Sequence, residues 1–259
     1  MGKIKKIKGE NADKKEEKTR KTSGKVERVP TFIKDFDSLV QGGFEKNSAN
    51  LLVGSSGSGK TIFAAQYLLG GIVNGEKCLY VTFEEKKSEF FRNMKEFGWD
   101  FEEYEKNGIL TFLEYTPSKV KTMLDEGGGE IENIILSKKI TRMVIDSVTS
   151  FALLFDDELS KREASLSLFN LINSWNCTSL LTYEEETLES GLAPASKALQ
   201  FESDSIINIY FLRNKEVRER YLEVLKMRGT DHSRGIHELK VTNKGIYVNK
   251  AISKKLKIN

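Results

Sequence analysis

Two cysteines in a chain of 259 residues exclude a disulfide framework. Cys78 and Cys177 each sit within or beside an apolar strand pattern, so both are expected to be buried, reduced and inert in a cytoplasmic protein. Long apolar runs are also missing. None approaches the roughly 20 residues that span a bilayer, and no apolar stretch follows the N-terminal lysines, so neither a membrane span nor a secretory signal is visible. Asn176-Cys177-Thr178 fits a glycosylation pattern, but that chemistry needs a secretory route. Internal repeats are absent too. Residues 1–26 hold almost no large apolar side chains and cannot bury enough surface to offset ordering entropy. They are expected to form a disordered charged tail, with a sticky arm for nucleic acid or anionic partners as the alternative.

What remains is a charged, globular composition, 39% hydrophobic and 31% charged. The net charge of +3 misleads, because residues 1–28 carry nine Lys and two Arg against four Glu and one Asp. That stretch amounts to +6, which leaves the body mildly acidic at −3.

Residues 54–61 read Gly54-Ser55-Ser56-Gly57-Ser58-Gly59-Lys60-Thr61, a complete G-x-x-x-x-G-K-[ST] phosphate-binding loop. The glycines let the backbone curl so that successive N–H groups face anionic oxygens. Lys60 reaches β- and γ-phosphates, and the Thr61 hydroxyl suits Mg²⁺. Ala49–Val53 reads as a buried strand before the loop and Thr61–Leu69 as a helix after it, whose N-terminal end favours phosphate.

The rest of the body alternates. Strands are expected at Leu51–Val53, Cys78–Phe83, Ile109–Leu113, Arg142–Ile145 and Thr178–Thr182. Helices are expected at Thr61–Ile72, Ser88–Phe97, Ser118–Leu136 (with a break at Gly127–Gly129) and Ser160–Trp175. In the last of these, Leu168, Leu171, Ile172 and Trp175 share one face. This alternation predicts an α/β fold with a mostly parallel central sheet flanked by helices. Beyond Ser205 the pattern turns to short antiparallel strands at Ile206–Leu212, Tyr221–Lys226, His237–Val241 and Gly245–Val248. One nucleotide-binding domain over residues 27–251 is expected, between the N-terminal tail and a basic C-terminal tail at 252–259.

Hydrolysis needs more than a phosphate loop. Met143-Val144-Ile145-Asp146-Ser147 ends an apolar strand in a carboxylate at the edge where such sheets bind ligands, which suits a metal-organising group. Ser147 is placed to hydrogen-bond the attacking water or the γ-phosphate. Val81-Thr82-Phe83-Glu84-Glu85 ends another strand in two carboxylates; alternation predicts that one faces the γ-phosphate and the other a neighbouring strand, a water or another subunit. Far downstream, Lys226 and Arg228 alternate on a strand, so both cations share a face and Met227 takes the other. Two cations on one face suit the charge developing on a γ-phosphate, although Lys-x-Arg on an edge strand is more often a solvated face. His232 offers a ring for a ribose hydroxyl.

The order GSSGSGKT, VTFEE, FGWD, MVIDSVTS and KMRGTDHS resembles the KaiC-like ATPases of the RecA superfamily, over about Val29 to Val248. The resemblance implies a RecA-like P-loop fold and a homo-oligomeric ring, usually a hexamer, with ATP and Mg²⁺ between subunits. It implies that Gly57, Ser58, Gly59, Lys60, Thr61 and Ile62 cradle the phosphates, with Thr61 and Asp146 at the metal. It implies Glu84 as proton acceptor, assisted by Glu85. It places Lys226, Met227, Arg228, Thr230 and His232 against the nucleotide of the adjacent protomer. Clock KaiC carries two ATPase domains and a Ser–Thr phosphorylation pair. Here there is one domain, and the pair falls near Gln200-Phe201, which have no hydroxyls, with Ser203 and Ser205 close by.

The leading expectation is a ring-forming regulatory or signalling ATPase. A DNA recombination or repair ATPase is the first rival, and it needs cationic channel loops. Phe151–Ser165 sums to −2 and Tyr183–Gln200 to −3, the wrong sign for nucleic acid. A nucleotide-dependent scaffold with little turnover is the second rival.

Overall fold

The computed structural model describes residues 26–252 apart from 117, 120, 121, 123–125, 128, 153, 156 and 186–198. The expected tails apart from Val26 and Ile252, much of the first half of the helix expected at Ser118–Leu136, and most of the acidic Tyr183–Gln200 segment lie outside the described residues, and Ile252 belongs to the last strand rather than to the tail.

A nine-stranded sheet organises the chain. Its strands are β3 (Ala49–Gly54), β4 (Cys78–Thr82), β5 (Leu110–Glu114), β6 (Arg142–Asp146), β7 (Thr178–Glu184), β8 (Ser205–Asn214), β9 (Val217–Met227), β10 (Ile236–Thr242) and β11 (Gly245–Ile252). The spatial order is β11-β10-β9-β8-β3-β7-β6-β4-β5. Strands β3 to β8 run parallel, and β8 to β11 continue antiparallel. The expected mostly parallel sheet with C-terminal antiparallel strands is the observed fold. A two-stranded ribbon, β1 (Arg28–Val29) with β2 (Phe44–Glu45), stands apart from it.

Parallel strands are covered on both faces, so they read as continuous apolar runs rather than alternating ones. Leu52 and Tyr80 face one core, with Phe63, Tyr67 and Leu68 of α1 (Lys60–Val73), Phe90 of α2 (Lys87–Lys95) and Phe101 of α3 (Phe101–Lys106). Leu51, Val53, Leu79 and Val81 face the other, with Ile131 and Ile135 of α4 (Gly129–Lys138), Phe151 of the short α5 (Thr149–Ala152), and Leu168 and Ile172 of α6 (Glu158–Ser174). Helix starts are marked by caps. Asp100 accepts from the Glu103 N–H ahead of α3, and Asp157 from the Ser160 N–H ahead of α6.

Among the described residues, the charge of Arg142 is buried completely. Arg142, at the start of β6, donates to Glu76 Oε2 at 3.1 Å and Oε1 at 2.5 Å, and to the carbonyls of Pro30 (3.0 Å) and Tyr67 (2.7 Å). Its guanidinium also lies 4.6 Å from the Tyr67 ring centre. Four of its five N–H donors have partners, which is what makes a buried arginine tolerable. The chain clears space for it at Gly71, where a Cβ would lie 2.7 Å from the arginine stem.

Cys78 and Cys177 are both free and buried, as expected. Burial pushes both thiols up to about 12, so they stay protonated.

Candidate active site

The parallel strands deliver their C-terminal ends to one edge, and the site is built there. Between β3 and α1 the loop turns with Gly57 at φ 74° and Gly59 at φ 105°, left-handed values that disfavour a side chain. A cleft of about 330 Å³ opens above it, lined by Ser56, Gly57, Gly59, Lys60, Thr61, Ile62, Thr82, Glu84, Glu85, Asp146, Ser147, Glu184 and Arg220. That volume falls within the roughly 300–1,000 Å³ of small-molecule sites.

Lys60 is almost fully buried, and its ammonium is satisfied within the loop. It donates to the carbonyls of Gly54 at 2.8 Å and Ser55 at 3.0 Å, and to Glu184 Oε2 at 3.3 Å. The Ser58 hydroxyl is buried without a hydrogen-bond partner, and Ser58 N–H bonds the Ser55 carbonyl. A cation held on exchangeable carbonyls suits an incoming polyanion, whereas Ser58, expected among the phosphate-cradling residues, is buried against Gly54 and is not among the residues lining the cleft.

Asp146 ends β6 and receives three hydroxyls. Thr61 Oγ1 donates to Oδ2 at 2.8 Å, Tyr80 OH to the same oxygen at 2.7 Å, and Thr182 Oγ1 to Oδ1. These come from α1, β4 and β7, and they meet because β4 and β7 flank β6. Burial, then the Asp146 charge, raises the Tyr80 phenol far above its ordinary value, so it remains a donor.

The two glutamates diverge. Strand β4 stops at Thr82, whose hydroxyl accepts the N–H groups of Glu84 (3.2 Å) and Glu85 (3.1 Å). The chain is therefore already bending where strand alternation was expected, and both carboxylates line the cleft. Glu84 Oε1 accepts from Ser147 Oγ at 3.1 Å and Ser150 Oγ at 2.5 Å. Ser147, expected on a water or phosphate, is engaged with this carboxylate instead. Glu85 Oε1 accepts from Asn93 Nδ2 of α2 at 3.0 Å, and burial raises its pKa.

The downstream set does not join this cleft. Lys226 and Arg228 share a face of the chain and Met227 is buried on the other. Lys226 Nζ donates to the carbonyls of Gln200 (2.8 Å) and Ser203 (2.6 Å); Arg228 donates to the Phe201 carbonyl (2.8 Å) and to Asp204 Oδ1 (3.3 Å). Burial, then the adjacent Arg228, lowers the Lys226 pKa. Thr230 Oγ1 accepts from Arg28 Nη2 at 2.7 Å, and His232 Nδ1 lies 2.9 Å from the Ser233 carbonyl oxygen. Ser203 and Ser205 are buried, with hydroxyls committed to the Gln200 carbonyl and to Asn50 Oδ1, which gives no support to a phosphorylation cycle there.

Sequence reasoning missed five residues: Tyr80, Ser150, Thr182, Glu184 and Arg220. Glu184 was findable, because it ends an apolar strand at the ligand edge just as Asp146 does. Arg220 was not. It donates to the Gly57 carbonyl at 2.8 Å and stacks 4.3 Å from the Phe211 ring centre, a meeting made by the β8–β9 hairpin overhanging the loop. Glu184 holds the ammonium expected to receive phosphate, so Glu184→Gln is expected to tighten nucleotide binding several-fold, a modest gain because Glu184 is 41% exposed. Equilibrium binding of a fluorescent nucleotide checks this, and unchanged or weaker affinity contradicts it.

Comparison with known proteins agrees with the geometry. The family model described as ATPase: KaiC matches residues 29–253. The chain is 33% identical over 236 residues to UPF0273 protein MK0039 of Methanopyrus kandleri, covering 86% of this chain and 92% of that one. It is 32% identical over 226 residues to the circadian clock protein KaiC3 of Synechocystis, covering 85% of this chain and 45% of that one. It therefore spans about half the length of the clock relatives it matches. Its structure is similar to that of the KaiC-like protein PH0186 of Pyrococcus horikoshii, with a TM-score of 0.77 at 32% identity over 87% of this chain and 100% of that one. The chain belongs to the KaiC family of ATPases.

Proposed function

We propose that the protein binds ATP with Mg²⁺ in this cleft and hydrolyses it as a ring, probing cellular state as a regulatory or signalling ATPase. The observation that carries the shared-site part is the separation just described. Of the described residues lining the cleft, Lys60 and Arg220 are the only cations, while Lys226 and Arg228 hold carbonyls elsewhere on the chain. A neighbouring copy in a ring would bring that second pair to the γ-phosphate, with Met227, Thr230 and His232 against the rest of the nucleotide.

In this mechanism Lys60 leaves Glu184 and the loop carbonyls for the β- and γ-phosphates. The curled amides of Gly57 to Ile62 hold the phosphates in line, and Thr61 and Asp146 are the residues that would hold a divalent ion. Mg²⁺, when bound, offsets charge across the phosphates. Glu84, fixed by Ser147 and Ser150, orients the attacking water and accepts its proton, and Glu85 assists. Lys226 and Arg228 from the adjacent copy neutralise the charge that develops as the bond breaks. Buried, unpaired Cys78 and Cys177 support a cytoplasmic setting. No helix among the described residues is long and apolar enough to cross a membrane.

Mass measurement with and without ATP–Mg²⁺ tests assembly, the 29.4 kDa chain giving a species near six copies when nucleotide is present. Mixing tests sharing. A Lys226→Ala/Arg228→Ala chain and a Glu84→Gln chain, each weakly active alone, are expected to regain partial activity together. No recovery at ratios that form mixed assemblies argues against a shared site.

A further inference from the structure

The turn that follows Arg228 is fastened at its far end by Ser233. The Ser233 N–H donates to the Leu39 carbonyl at 2.8 Å, and the Ser233 carbonyl oxygen lies 2.9 Å from His232 Nδ1. The Ser233 hydroxyl lies 2.7 Å from His237 Nε2 and accepts from the Gly235 N–H at 3.3 Å. His237 is buried in β10 and places its Nδ1 3.0 Å from the Asn249 carbonyl oxygen of β11.

Carbonyl oxygens only accept, so these contacts decide where the ring protons sit. His237 donates from Nδ1 to Asn249, which in the neutral ring leaves Nε2 to accept from the Ser233 hydroxyl. His232 also donates from Nδ1, to the Ser233 carbonyl. In the neutral ring His232 Nε2 is therefore an acceptor, and it has no hydrogen-bond partner among the described residues. Ionised phosphates offer acceptors alone and give that nitrogen nothing to receive. Ribose hydroxyls are donors.

We infer that Ser233 and His237 are positioning residues that hold His232 as an acceptor for a ribose hydroxyl of the adjacent copy's nucleotide, and so favour ribonucleotides over deoxynucleotides. The inference rests on the shared-site reading above and adds what selects the sugar. An imidazole free to turn could offer either nitrogen. The Ser233 carbonyl prevents that, and Ser233 is itself pinned through its N–H and its hydroxyl. Without the hydroxyl, the buried His237 Nε2 loses its donor and the turn loses one of its two anchors at Ser233. A site built to bond a hydroxyl disfavours the analogue that lacks it, because its own acceptor is left unpaired.

The test compares kcat/KM of the full chain for ATP, 2′-deoxy-ATP, 3′-deoxy-ATP and inosine triphosphate, which keeps the ribose but lacks the amino donor of adenine. Melting curves accompany each variant. In His232→Phe the preference for ATP over one of the two deoxynucleotides is expected to shrink on the order of fivefold, the scale of one net hydrogen bond. Ser233→Ala and His237→Phe are expected to shrink it by about twofold or more, and Ser233→Thr, which keeps the hydroxyl, to preserve it. The preference for ATP over inosine triphosphate is expected to stay at its wild-type value in all four. If that preference falls in His232→Phe while the sugar preference holds, the acceptor serves the base and the inference is overturned. Unchanged sugar preferences in folded Ser233→Ala overturn it as well, even should His237→Phe fail to fold. So does a wild type that turns over ATP and both deoxynucleotides equally. Wild type that hydrolyses none of the four removes the nucleotide site itself, and this inference with it.

Discussion

Glu84→Gln is expected to slow phosphate release from ATP by about 10²–10⁴-fold, the range lost with a positioned general base. Gln keeps the size of the side chain and still accepts hydrogen bonds from Ser147 and Ser150, so the geometry around it survives. What it loses is the charge that polarises a water. The proposed mechanism assigns nucleotide binding to the loop, Lys60 and Asp146, so labelled-ATP affinity is expected to persist. Phosphate release at saturating ATP, alongside that affinity, separates the two. Equal rates for variant and wild type would remove Glu84 from the chemistry and favour the scaffold alternative, in which ATP acts mainly as an assembly signal.

The second large effect concerns the fold. Arg142→Ala is expected to cost about 3 kcal/mol, because it removes a wholly buried guanidinium from a partly exposed carboxylate and two carbonyls. The Pro30 and Tyr67 carbonyls lose their donor, and Glu76 keeps its charge without its partner. For a domain of this size that loss lowers the melting midpoint by roughly 10 °C. A double variant, Arg142→Met with Glu76→Leu, should recover only the part that comes from the unpaired carboxylate, since the Pro30 and Tyr67 carbonyls still lack their donor. Thermal unfolding of the three proteins checks both statements. A single variant that melts within about 2 °C of wild type contradicts the assignment, because a change that small corresponds to no more than about 1 kcal/mol.

Much of the fold was legible because buried parallel strands announce themselves. Cys78 to Thr82 and Arg142 to Asp146 are apolar runs that end in polar chemistry, and each forms the strand expected to within a residue. The phosphate loop needed only its own eight residues. Short elements were less visible. Helix α3, six residues of Phe101–Lys106, is too brief for helical periodicity to emerge, and β1 and β2 have two residues each. Strand β9 starts at Val217 rather than Tyr221, because its polar first half is held by pairing with β8 and not by burial. The cleft lining was legible in the phosphate loop and at the ends of β4 and β6, whereas the contiguous stretch at 226–232 lies away from the cleft. The site was illegible where the sheet order makes the neighbours: Tyr80, Asp146 and Thr182 are scattered along the sequence and become adjacent only once β4, β6 and β7 line up. The direction of Lys226 and Arg228 was also beyond reach, since their acceptors are carbonyls on a different segment.

The bond between Arg28 and Thr230 has a practical bearing on how this protein is cut for study. The family match opens at residue 29, and a fragment trimmed to that boundary would discard the guanidinium that holds the Thr230 hydroxyl at 2.7 Å. It would also discard Glu27, which pairs with Lys46 across the ribbon. Such a shortened chain would fold its sheet yet leave the turn after Arg228 without its brace, and a poor hydrolysis rate measured on it would report the scissors rather than the enzyme.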